Sequence, residues 1–155
     1  MLEVGQIAPT FKKPASNGQT INLEDYRGKN VVLYFYPKDS TPGCTTEACD
    51  FRDYHADFAT LNTVVLGVSP DSVTSHDKFI AKHELPFPLI ADEDHSVAEA
   101  YGVWVLKKMY GREYMGIERS TFILDAEGKI AQIYPKVKVK DHVQQVVTYI
   151  KEHLV

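Results

Sequence analysis

With 155 residues, 44% of them hydrophobic and 25% charged, the chain has the size and composition of one soluble globular domain able to bury its own core. A net charge of −4 gives no reason to expect a nucleic-acid or membrane-surface partner. No apolar run approaches bilayer-spanning length, and Met1-Leu2-Glu3-Val4-Gly5 has no basic region followed by an apolar one, so a cytoplasmic setting is expected.

In chain order, Ala15-Ser16-Asn17-Gly18-Gln19-Thr20-Ile21 holds an Asn-Gly pair, which predicts a hairpin turn between short strands. Leu23 to Gly28 reads as one helical turn or a loop. Val31 to Tyr36 is a run of β-branched and aromatic residues, the pattern of a buried strand. Pro37 ends it, having no N–H to give to a ladder. After a polar loop, Thr41 is the expected N-cap and Pro42 the first residue of a helix. That helix runs to about Leu61, with Ala48, Phe51, Tyr54, Phe58 and Leu61 at helical spacing.

Thr63–Ser69 reads as a second buried strand, and Pro70 as the start of a helix to about His83, with Val73, Phe79 and Ile80 inward. Pro86-Phe87-Pro88 interrupts, Leu89–Ala91 is a short strand, and Ser96 to Tyr101 is a short helix ending at Gly102. Residues 103–117, VWVLKKMYGREYMGI, read as an irregular loop. Ser120–Asp125 and Lys129–Tyr134 form a hairpin closed at Ala126-Glu127-Gly128. Val139 to the end is the last helix, with Val143, Val146, Val147 and Ile150 on one face. Strands and helices alternate and nothing reads as a linker, so residues 1–155 are expected to form a single three-layer α/β domain, a mixed sheet flanked by helices.

Both cysteines, Cys44 and Cys49, fall in the helix after the first buried strand. Without a secretion signal, redox or catalytic thiols are a better expectation than a structural disulfide. Cys44 lies in the first helical turn, where free N–H groups and the helix dipole favour an anion, and a thiolate is the reactive form of cysteine.

Pro37-x-x-x-Thr41-x-x-Cys44 resembles the active-site motif of the peroxiredoxins. The longer run from Tyr34 to Cys49, YFYPKDSTPGCTTEAC, resembles their Q-type branch, the bacterioferritin-comigratory proteins. The likeness extends from Val4-Gly5-Gln6-Ile7-Ala8-Pro9 to the last helix. It implies a thioredoxin-like fold with an N-terminal hairpin. It also implies a thiol peroxidase for hydrogen peroxide and small organic hydroperoxides that uses no metal, haem or flavin and is recycled by a thioredoxin-like dithiol protein. A monomer or weak dimer is implied too.

Residue by residue, the resemblance makes Cys44 the nucleophile; a buried core cysteine is the alternative. Thr41 is implied to hold the peroxide and contact the sulfur, and Pro37 to shield the site from water. Backbone N–H groups at Gly43 and Cys44 are expected to add donors. Arg119, just ahead of Ser120-Thr121-Phe122-Ile123-Leu124, is implied to point at the cysteine; a surface salt bridge is its alternative. Glu47 either orients that arginine through a bidentate contact or only complements the helix dipole. Cys49 is the implied resolving cysteine, against an inert helix cysteine.

Two other functions compete. A thiol–disulfide oxidoreductase on the same fold calls for a C-x-x-C pair, and the five-residue spacing of Cys44 and Cys49 does not supply one. A non-enzymatic chaperone or scaffold leaves Pro37, Thr41, Cys44 and Arg119 without a joint role. Six scattered histidines are a weak sign of metal. Tyr101, Trp104, Tyr110 and Tyr114 are expected to be packing rather than a binding box, and Lys107, Lys108 and Arg112 a solvated face.

Overall fold

The computed structural model describes residues 2–155. The chain opens with an antiparallel hairpin, β1 (Lys12–Pro14) and β2 (Thr20–Asn22). Asn17 and Gly18 turn it, both at positive φ (59° and 68°), as their residue types predict. A 3-10 turn over Leu23–Tyr26 leads into β3 (Asn30–Phe35), the central strand. Then come α1 (Pro42–Asp53), α2 (His55–Thr60), β4 (Thr63–Ser69), α3 (Val73–His83), β5 (Leu89–Ala91) and α4 (Ser96–Ala100). The chain ends with β6 (Trp104–Met109), β7 (Arg112–Ile117), β8 (Ser120–Leu124), β9 (Ile130–Tyr134) and α5 (His142–His153).

The main sheet has the order β5-β4-β3-β8-β9, with β3, β4 and β5 parallel and β8 and β9 antiparallel to their neighbours. It is the expected mixed sheet, and β3 is buried along its whole length because both faces are covered. Alternation sorts its side chains. Val31, Leu33 and Phe35 face a core shared with Leu66, Val68, Ile90, Phe122 and α4. Val32, Tyr34 and Tyr36 face a second core built from α1, α2, α3 and α5 through Ala48, Phe51, Phe58, Phe79, Val143, Val146 and Ile150. Gly67 is required where β4 passes beneath Tyr34. A Cβ there would stand 2.7 Å from Leu89 Cδ2 and 3.0 Å from the Tyr34 ring. Among the described residues no helix is long and apolar enough to cross a membrane.

Four expectations need correction. The helix predicted to run to Leu61 is two helices, because Tyr54 (φ −96°, ψ 7°) leaves helical geometry between α1 and α2. α3 begins at Val73, not Pro70: the Ser72 side chain accepts from Ser75 N–H and caps it there. α5 begins at His142 rather than Val139. The supposed loop over 103–117 is a second hairpin, β6 paired with β7 from Trp104↔Ile117 to Met109↔Arg112. Its turn is Tyr110-Gly111, both at positive φ (52° and 76°), a geometry more often signalled by Asn-Gly. Apart from half-buried Lys107 its outer half is exposed on both faces, so no alternation of apolar and polar residues marked it as a strand pair.

Candidate active site

The sheet register builds the site. Phe35 at the end of β3 pairs with Ser120 at the start of antiparallel β8. Arg119, one residue earlier, therefore returns to the edge where β3 releases the chain into the loop before α1. The Arg119 carbonyl is fixed there by Val137 N–H at 2.8 Å. Cys44, Glu47, Ala48 and Phe51 form the buried stripe of α1. Cys44 and Glu47, one turn apart, lie on the side that meets Arg119.

Arg119 joins the two. Its Nη2 donates to Cys44 Sγ at 3.2 Å and its Nη1 donates to Glu47 Oε1 at 2.6 Å. Cys44 is 2% exposed and Glu47 fully buried. The expected bidentate contact from Glu47 is instead a single one: the guanidinium divides its fork between sulfur and carboxylate. Glu47 Oε2 is left without a hydrogen-bond partner among the described residues, as is the nearby buried Tyr34 hydroxyl. Burial pushes the Glu47 carboxyl up to about 7, against the pull of Arg119. Burial opposes the Arg119 charge, but Glu47 and Cys44 outweigh it and its pKa is raised. A guanidinium fixed between a sulfur and a carboxylate offers charged donors to both and to an anion placed beside them.

Thr41 occupies the N-cap position with extended backbone, and Pro42 is the first helical residue. The hydroxyl does not cap, however. It donates to the Lys38 carbonyl at 3.0 Å, and among the described residues no side-chain cap is found at the start of α1. The Gly43 and Cys44 N–H groups at that end therefore remain available to an anion or a peroxide oxygen. Pro37 and Thr41 are half-buried at the two ends of the loop. Both thiols are free; Cys49 is half-buried on α1, five residues past Cys44.

Three features escaped the sequence. Lys107 is half-buried with its stem over Gly116, unlike exposed Lys108 and Arg112, so it does not belong to one solvated face with them. Burial and the neighbouring Arg119 charge lower its ammonium pKa, against Glu118 and Cys44. His142 Nε2 meets the Thr121 hydroxyl at 2.8 Å, and burial together with the Arg119 charge takes its imidazole down to about 4. Asp39, within the motif, is buried against His76 of α3. The only sequence signal for that pair was the placement of His76 one turn before Phe79 on the apolar side of α3. Of the aromatics, Tyr101 is core and Trp104 stacks on His95 at 3.7 Å, as packing predicts, but Tyr110 and Tyr114 are exposed.

The AhpC/TSA family matches residues 4–133. Peroxiredoxin Bcp of Bacillus subtilis (strain 168) is 57% identical over 151 residues, which cover 97% of this chain and 96% of that protein. Peroxiredoxin Bcp of Escherichia coli (strain K12) is 42% identical over 152 residues, 98% of this chain and 97% of that one. The Xanthomonas campestris peroxiredoxin Q structure matches with a TM-score of 0.93 at 43% identity, covering 98% of this chain and 99% of that chain. A structure of the Xanthomonas campestris bacterioferritin comigratory protein, obtained to explain its alkyl peroxide reduction activity, matches at 0.93 and 42% over 99% and 100% of the two chains. The chain therefore belongs to the AhpC/TSA family, with the thioredoxin fold of the peroxiredoxins. Its relatives place it in the bacterioferritin-comigratory, Q-type branch, and it is a peroxiredoxin enzyme, a thiol peroxidase.

Proposed function

We propose that the chain, acting as a single cytoplasmic domain and as a monomer or weak dimer, reduces hydrogen peroxide and small organic hydroperoxides in three steps. The Cys44 thiolate attacks the terminal oxygen of ROOH; the S–O bond forms, the O–O bond breaks, and the departing RO⁻ takes up a proton to leave as ROH. Cys44 is then a sulfenic acid. The Cys49 thiolate displaces its hydroxyl, giving a Cys44–Cys49 disulfide, and the hydroxide leaves as water after taking a proton. A thioredoxin-like dithiol protein returns both cysteines to thiols and is itself oxidised to its disulfide. In this reading Arg119 stabilises the thiolate and the leaving oxygen, Thr41 and the N–H groups of Gly43 and Cys44 align the peroxide, and Pro37 limits water.

The observation that carries the reading is the Arg119 fork, 3.2 Å from the Cys44 sulfur and 2.6 Å from Glu47 at the uncapped start of a helix. It supplies a cation where charge is needed both before and during O–O cleavage. The test is peroxide-dependent NADPH oxidation in the presence of thioredoxin and its reductase. Wild-type protein should sustain turnover, and Cys44→Ser should abolish it with the fold intact. Near-wild-type turnover by Cys44→Ser would refute the assignment. Dithiol exchange without peroxide consumption would favour the oxidoreductase reading instead.

A further inference from the structure

The loop that brings Pro37 and Thr41 to the site is anchored away from Cys44 and Arg119. Its middle residue, Asp39, is 6% exposed although Lys38 and Ser40 beside it are exposed. Asp39 Oδ1 accepts from the Tyr36 hydroxyl at 2.6 Å. Asp39 Oδ2 accepts from the Ser75 hydroxyl at 2.8 Å and lies 2.8 Å from His76 Nδ1. The Asp39 backbone N–H donates to Asp71 Oδ2 at 2.8 Å, and Asp71 is itself held by the Ser69 hydroxyl at 2.6 Å. Asp39 is thus anchored from three directions: the residue after β3, the turn after β4, and α3.

The other side of the imidazole is held as well. His76 is fully buried, and its Nε2 lies 3.0 Å from the Ile90 carbonyl, which can only accept. Nε2 therefore carries a hydrogen. Asp39 accepts from two hydroxyl donors, and its Oδ2 shares a hydrogen bond with His76 Nδ1, so the pair is held at both ends of the imidazole ring. The groups facing this pair are the Tyr36 and Ser75 hydroxyls and the Asp71 carboxylate. Asp39, Asp71 and His76 bring ligand-type atoms within 4.8 Å of one another, but these atoms are engaged with each other and their neighbours, so the cluster holds a loop rather than an ion.

We propose that Asp39 and His76 are positioning residues for peroxide reduction: their buried hydrogen bond pins the loop to α3 and so fixes where Thr41 meets a peroxide in front of Cys44. The link between them is short. The Thr41 hydroxyl is oriented by the Lys38 carbonyl, directly before Asp39. Between Asp39 and Thr41 the chain passes through Ser40 at φ 65°, a left-handed conformation that a non-glycine residue keeps only when its surroundings hold it. Released from His76 and Ser75, the loop is free to relax at Ser40 and move Thr41 with it, while Cys44, Arg119 and Glu47 keep their own supports on α1 and β8. The inference rests on the reading of Thr41 as the group that aligns the peroxide.

Two rates measured in a Cys49→Ser background separate positioning from general damage. Oxidation of Cys44 by hydrogen peroxide needs the oxidant aligned, whereas alkylation by iodoacetamide reports only the thiolate and its access. His76→Leu and Asp39→Asn should slow oxidation by about 10- to 100-fold, with alkylation changed by no more than about twofold. His76→Asn keeps an N–H donor near the place of Nδ1 and should recover most of the oxidation rate. Thermal unfolding identifies any variant that fails to fold; should His76→Leu fail, Asp39→Asn against His76→Asn carries the comparison. Equal losses in both rates, no loss in either, or no recovery in His76→Asn overturns the proposal. Thr41→Val measured alongside separates the two levels. A slow Thr41→Val beside His76 and Asp39 variants at the wild-type rate overturns this inference alone, and a wild-type rate in Thr41→Val overturns the Thr41 reading and this inference with it.

Discussion

Arg119 is the residue on which the site's electrostatics turn, since one side chain compensates both a buried carboxylate and a sulfur. Arg119→Ala removes a charge-assisted hydrogen bond from Cys44, a loss of about 1.5–3 kcal/mol, so alkylation of Cys44 at neutral pH should slow by roughly 10- to 100-fold. It also strands Glu47, buried and without its cation, which should cost about 3–5 kcal/mol of stability. Adding Glu47→Gln should return most of the stability and none of the reactivity. Recovery of both together would mean that Arg119 acts on the fold and not on the thiol; iodoacetamide kinetics and urea unfolding read the two effects separately. The closeness of Cys44, Thr41 and Pro37 was legible in the sequence because local chain geometry puts them together: a strand end, a turn and a helix start within eight residues. Their roles came through a family resemblance, and for Arg119 even its place beside Cys44 did, since its approach depends on the β3–β8 register. Asp39–His76 and Lys107 were hidden because their partners come from other elements, and a buried histidine at helical spacing looks the same in sequence whether it packs or pairs.

At the scale of elements, the strands of the main sheet were legible because burial on both faces leaves an uninterrupted apolar run, as in Val31 to Phe35 and Thr63–Ser69. The β6–β7 hairpin lacked that signal, and the break at Tyr54 carries neither proline nor glycine to announce it. Gly67 gives a direct test of packing between these elements: Gly67→Ala would press a methyl into Leu89 and the Tyr34 ring and should destabilise by about 1–3 kcal/mol in urea unfolding, whereas an unchanged midpoint would show that the contact relaxes freely. α1 bears on function more closely. Cys44 and Cys49 sit on one continuous helix, where five residues separate Cα atoms by roughly 8–9 Å and turn the side chains about 140° apart. Disulfides rarely span more than about 7 Å, so the proposed bond requires α1 to open at its first turns. The helix is suited to this, with no side-chain cap at its start and Tyr54 already outside helical geometry at its end. Oxidised protein should lose amide protection over residues 42–52 while β3 and β4 keep theirs, and Cys49→Ser should consume one equivalent of peroxide and stop. Equal exchange in both redox forms, or only disulfides between chains, contradicts this route.

For the whole molecule, two buried groups near Arg119 tie stability to pH in opposite directions. Glu47 has its carboxyl raised from 4.5 to about 7, so between those values the unfolded chain releases a proton that the folded protein keeps. Stability from this group is full below pH 4.5 and is lost as pH rises through 7. His142 is lowered from 6.5 to about 4, so between those values the unfolded chain binds a proton that the folded protein refuses. Stability from this group is full above pH 6.5 and is lost as pH falls through 4. Each displacement corresponds to about 3 kcal/mol, and over the shared window the two slopes nearly cancel. Glu47→Gln removes one of them while leaving an oxygen to accept from Arg119. Its stability should therefore climb by about 3 kcal/mol relative to wild type between pH 4.5 and 7. His142→Asn, which keeps a polar partner for Thr121, should show the reverse, losing its advantage over wild type as pH rises from 4 to 6.5. Urea unfolding at half-unit pH steps decides the matter: curves for Glu47→Gln and wild type that stay parallel across the window would mean that Glu47 keeps an ordinary carboxyl inside the fold and that Arg119 fully offsets its burial.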